Sequence, residues 1–147
     1  MMWWKLAVFA AAVFLTETEA STCTCYESGN YTGRSAPISN PYNPDGFSPC
    51  YAAPCSYVAY SGDENHIWTR LTFHWGTTTN SGGLIKIFDG TDITGTPIIL
   101  LNEGENVLSG STKSQIKSTS SRITITYSQT GTDSNVFYGV MKAIPPQ

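Results

Sequence analysis

The sequence predicts an all-β fold, a sandwich or barrel of short strands with a disulfide-pinned loop segment at its N-terminal side. Three observations predict it. From Cys55 onward apolar residues recur with period two, the spacing of strands with one dry face. No stretch carries a sustained helical period with caps, so α-helix is minor. Short alternating runs are separated by turn signals, as in sandwiches and barrels.

In chain order, residues 1–20 come first and read as an export signal. Lys5 ends a short positive region, residues 6–15 are unbroken apolar, and 16–20 close the segment with the small residues Thr18 and Ala20. Cleavage before Ser21 is expected, leaving residues 21–147 as a single domain. The apolar run is about half of the ~20 residues that cross a bilayer, so a retained anchor is the weaker reading. No second apolar stretch follows, and Pro145-Pro146-Gln147 carries no lipid-anchor or retention signal. The expected mature chain is therefore secreted, with no membrane span.

Eight basic and eleven acidic residues fall to seven and nine once Lys5, Glu17 and Glu19 are removed with the signal. That near balance, without runs of either sign, argues against nucleic acid or an anionic membrane as the main partner.

Residues 21–54 form an arm with loop chemistry: Gly29, Gly33, Asn40-Pro41, Asn43-Pro44, Asp45-Gly46 and Pro49. Prolines at this density forbid helix and permit only short edge strands. The arm is expected to be pinned by cysteines and not by burial. An even number of cysteines behind an export signal, Cys23, Cys25, Cys50 and Cys55, points to disulfides. Zinc is the alternative, but Cys-x-Cys and Cys-x4-Cys are poor ribbon spacings. Cys23 and Cys25 are too close for an unstrained bond to each other. They are expected to reach separately to Cys50 and Cys55, in either pairing. Asn30-Tyr31-Thr32 is a glycosylation sequon, and export favours its use.

Beyond the arm, Ile67, Thr69, Leu71, Phe73 and Trp75 alternate with Trp68, Arg70, Thr72 and His74, a strand with one dry face. Residues 84–88 (LIKIF) repeat the pattern, and Asp89-Gly90 is a hairpin-turn signal. Residues 97–101 (PIILL) fit a short, fully buried strand. Residues 122–127 (RITITY) alternate cleanly, and 136–144 (VFYGVMKAI) supply the last strand.

Catalytic chemistry is sparse. His66 and His74 would stand about 26 Å apart on one strand, too far to share a metal. No nucleophile elbow, zincin helix or phosphate loop occurs. The acidic pairs Asp63/Glu64, Asp89/Asp92 and Glu103/Glu105 read as solvated turns. Phe73, Trp75, Phe88 and Tyr127 read as core. Trp68 and Tyr138 fall out of phase with their core neighbours, and an outward aromatic can stack on a sugar or anchor a protein. Burial beneath the Cys-rich arm is the competing reading.

Six fragments in order resemble a CUB domain, an extracellular module of two packed sheets. These are residues 39–44 (SNPYNP), Cys55-Ser56-Tyr57, Leu71-Thr72-Phe73, 85–90 (IKIFDG), 116–127 (IKSTSSRITITY) and Phe137-Tyr138-Gly139-Val140. The resemblance implies a two-sheet antiparallel β-sandwich, a CUB-like jelly roll, and it makes Cys55 the family-type partner of Cys23 or Cys25. The chain departs from it twice. Asn80 and Glu103 stand where members carry a second disulfide. Gly83 and Gln129 stand where calcium-binding members place carboxylates, so no metal and no cofactor is expected. The implied role is a secreted, non-catalytic module that binds an extracellular protein or glycan. A self-associating structural protein and a hydrolase with an unrecognised site are the alternatives.

Overall fold

The computed structural model describes residues 25, 28–31, 34–39, 54–131, 133 and 135–145. Residues 1–20, where the export signal is expected, Cys23, Cys50 and most of the proline-rich arm lie outside these residues. Eight strands are found among them: β1 (Gly29–Asn30), β2 (Ser35–Ser39), β3 (Cys55–Tyr60), β4 (Ile67–Thr77), β5 (Leu84–Asp89), β6 (Ile99–Asn102), β7 (Arg122–Ser128) and β8 (Val136–Ile144). One turn of 3-10 helix spans Thr112–Ser114.

The strands form two sheets, ordered β1-β3-β7-β5-β6 and β2-β8-β4, whose inner faces meet in one apolar cluster. Register explains the core of the larger sheet. Tyr57, Ile125, Ile87 and Ile99 form one cross-strand row, and Cys55, Tyr127, Ile85 and Leu101 the next. All eight are buried. From the smaller sheet, Ala36, Ile38, Trp68, Leu71, Phe73, Trp75, Phe137 and Met141 complete the cluster. Burying this apolar area is the main force holding the sandwich closed.

Four expectations need correction. The pairing is antiparallel except at β1, which runs parallel to β3. Cys25 is bonded to Cys55, and Gly29 and Asn30 pair with Ala59 and Tyr60 at that same offset of thirty residues. The arm is also held by burial. Ala36 and Ile38 are at most 1 % exposed, β2 pairs along its length with β8, and Tyr57 Oη donates to Pro37 O at 2.5 Å. β6 is an edge strand alternating between buried and exposed residues, not a fully buried one. Finally, Asp89-Gly90 ends β5 without making a tight hairpin. Residues 90–98 separate β5 from β6, and the Asp89 carboxylate instead accepts from Thr119 N and Oγ1 at 2.7 Å.

Among the described strands β2 is the other edge of the smaller sheet, where Pro37 offers no N–H to a neighbour. The outer edge of β4 is covered. Phe73 and Val107 exchange backbone hydrogen bonds of 2.9 and 2.8 Å, and Ile116 N donates to Thr69 O at 3.0 Å.

Candidate functional site

Trp68 and Tyr138, the two sequence-predicted contact residues, separate at once. Trp68 is fully buried, and its Nε1 donates to Ser121 O at 2.9 Å. A register shift between Trp68 and Arg70 is the cause. One residue is inserted against β8, which turns Trp68 onto the same face as Leu71, Phe73 and Trp75. Strict alternation misassigns it for that reason. Tyr138 is 60 % exposed on the outer face of the smaller sheet.

That outer face is built from three cross-strand rows. Ser39, Tyr138 and His74 form one; Pro37, Val140 and Thr72 the next; Ser35, Lys142 and Arg70 the third. The Tyr138 and His74 rings lie 5.3 Å apart, so one row is aromatic, one largely apolar and one cationic. At the cationic end a cleft of about 730 Å³ opens between β4, β8 and the 109–117 segment, with Arg70, Lys117 and Lys142 on its walls. The sequence scatters these three cations over more than seventy positions, which is why charge patterning missed them.

The acidic pairs are turn-builders. Asp63 accepts from Asn65 N at 2.8 Å, and that amide holds its carboxyl below the usual range. Ser121 Oγ and Arg122 bind Glu64 and lower it likewise. Asp92 caps Thr94, and Glu105 takes Asn102 N and Lys113. Glu103 accepts three backbone N–H bonds, from Thr79 at 2.6 Å, Asn80 at 2.7 Å and Gly83 at 3.0 Å. Burial pushes the Glu103 carboxyl up, but the amides of Gly83, Thr79 and Asn80 outweigh it and hold the group low. Asn80 and Glu103, the positions without a disulfide, are thus joined through a carboxylate. At the other position without a carboxylate, Gln129 accepts from Tyr127 Oη and donates to Gly131 O.

Ser61, Asp63 and His66 cluster in a turn, a composition that invites comparison with a hydrolase. The geometry is that of a turn. Ser61 Oγ points at the carbonyls of Asp63 and His66, 2.8 and 2.9 Å away, and the serine is 1 % exposed. His66 Nδ1 lies 2.9 Å from Asp63 Oδ2, though not aligned as a hydrogen bond. A nucleophile must meet its base and its substrate, and this serine faces neither.

Cys25 and Cys55 are bonded, with Cα atoms 5.8 Å apart. Asn30 is exposed on β1.

Residues 23–147 match the family model described as "Uncharacterized protein E02H4.4 N-terminal domain". The chain is 56 % identical over 138 residues to the Caenorhabditis elegans protein of that name, spanning 92 % of this chain and 26 % of that protein. It therefore covers about a quarter of the length of this curated relative. No CUB family match accompanies these, so the CUB resemblance is not sustained. The six fragments that carried it consist of alternating residues, an Asp-Gly strand end and a proline turn. Any two-sheet sandwich requires such features.

Proposed function

Taking as premise that the chain belongs to the family of E02H4.4 N-terminal domains, we propose that it is a secreted, non-catalytic binding module. Its ligand is an extracellular protein or glycan. The observation that carries this reading is Tyr138, 60 % exposed and set against His74 in the outer row of the smaller sheet. Rigid aromatic rings on an accessible face give contact area at low entropic cost, which suits them to sugar faces and protein anchors. The matching segment is an N-terminal domain in a protein nearly four times as long, in keeping with a recognition unit carried on a larger chain.

Residues 1–20 supply the export signal in this reading, and Asn30 carries a glycan. A glycan array and an affinity capture from extracellular fluid, run with the disulfide-bonded domain, test the proposal. Tyr138→Ala is expected to weaken capture by about 1–2 kcal/mol, roughly 5- to 30-fold. Undiminished binding by that variant overturns the assignment of this face.

A further inference from the structure

Arg70 and Lys142 stand directly opposite each other on β4 and β8. Like charges at such positions destabilise a sheet. Lys117 joins them on the wall of the same cleft, and none of the cleft-lining residues is acidic. Of the other cations among the described residues, Lys113 pairs with Glu105 at 3.0 Å and Arg122 with Glu64 at 2.9 Å, Arg34 acts on the Asp63 carboxylate from the neighbouring loop, and Lys86 stands alone on β5. On a chain with formal charge −3, the fold gathers three of eight basic residues into one concave site, and among the described residues that line it there is no carboxylate. A local conflict of this kind points to function.

We infer that the cleft binds the sulfate or carboxylate groups of an acidic glycan, an inference that rests on the binding role proposed for the same sheet face. Charge complementarity requires an anion, and Arg70 can take an oxyanion through two parallel N–H bonds. The rest of the face favours a glycan over an acidic peptide. Peptides commonly dock by adding a strand to an open edge. Here the β4 edge beside the cleft is already engaged by Val107 and Ile116, and on β2, the other edge strand of that sheet, Pro37 has no N–H to give an added strand. Thr72 and Ser109 on the cleft wall offer hydroxyls to a hydroxyl-rich ligand. The Tyr138–His74 row lies two rows, or about 13 Å, along β8 from Lys142. One oligosaccharide can therefore place an anionic group in the cleft and a neighbouring ring on the tyrosine.

The test is calorimetric titration of the full chain with heparin-derived oligosaccharides, with desulfated oligosaccharides of equal length, and with a poly-glutamate peptide. Sulfated sugar is expected to bind, and to bind more weakly as salt rises. Lys142→Glu is expected to reduce affinity roughly tenfold or more. The same change pairs a glutamate with Arg70, so the melting temperature holds or rises, which separates lost binding from lost folding. Arg70→Gln/Lys117→Gln provides a second variant. Equal binding by both variants, or tighter binding of poly-glutamate than of sulfated sugar, overturns the inference. If desulfated sugar binds as well and depends only on Tyr138, the cleft assignment falls and the proposed binding face survives. If the charge variants lose binding while Tyr138→Ala does not, the cleft stands and the Tyr138 reading falls.

Discussion

Glu103 gathers the N–H groups of Thr79, Asn80 and Gly83 onto one carboxylate and so shapes the loop between β4 and β5. Asn80 meanwhile takes a left-handed φ of 58°, which asparagine tolerates better than most residues. Removing the carboxylate in Glu103→Ala is expected to cost about 1–3 kcal/mol, because it leaves the Asn80 and Gly83 amides without their acceptor and Thr79 N with Asn135 Oδ1 alone. Its pKa lies below the ordinary 4.5 in the folded chain, so its stabilisation is complete above that value and is lost as pH falls through the lower folded value. Melting temperatures recorded from pH 7 down to pH 3 check this: the wild type declines below about pH 4.5, and Glu103→Ala declines less. Gly139 works through closeness of approach. A Cβ there would lie 2.6 Å from Thr72 O and 2.8 Å from the Phe73 ring, so Gly139→Ala should destabilise by about 1–3 kcal/mol in denaturant titration. Neither role was legible in the sequence, where Glu103 reads as a solvated turn acid and Gly139 as one more strand residue. Their importance is a matter of which distant backbone they touch.

Among the described residues of 25–30, one offset recurs in the contacts with Cys55–Tyr60. The disulfide joins residues 30 apart, Val58 N donates to Ser28 Oγ at the same separation, and Gly29 and Asn30 pair with Ala59 and Tyr60. The covalent bond therefore sets the register of the parallel strand that follows it. Cys25→Ala/Cys55→Ala should lower stability by up to about 3–4 kcal/mol, the loop-closure expectation for a loop of this length. Amide exchange at Asn30 and Tyr31 should accelerate more than exchange in β7, and uniform acceleration would show that the bond does not act through β1. The strands from Cys55 to Ile144 were legible because alternation is a local property. β1 was not, since two residues carry no period. Ala36 and Ile38 were hidden in β2 because proline density masked a buried edge strand. The phase of Trp68 was lost to a bulge, which only the partner strand reveals.

On the scale of the whole molecule, the fold class followed from the sequence while the candidate site did not. Burial periodicity is written along the chain, whereas the cleft depends on Arg70, Lys117 and Lys142 arriving from three separate segments. The same non-locality fixes how the molecule comes into being. β8, the last strand, is the centre of the smaller sheet, so β2 and β4 have no neighbour in that sheet until Val136–Ile144 is available. Pairings between such remote segments are slow to form, because the loop between them must close before any contact rewards it. Refolding followed by tryptophan fluorescence with the disulfide intact is expected on a scale of milliseconds to seconds; a microsecond phase carrying the full amplitude would contradict it. During synthesis, at about 5–20 residues per second, β4 is complete some sixty residues before β8 begins. For those seconds Trp68, Leu71, Phe73 and Trp75 sit on a strand whose β8 edge is bare and whose other edge meets only Val107 and the 115–116 segment, so the most aromatic segment of the nascent chain is the one open to non-native association.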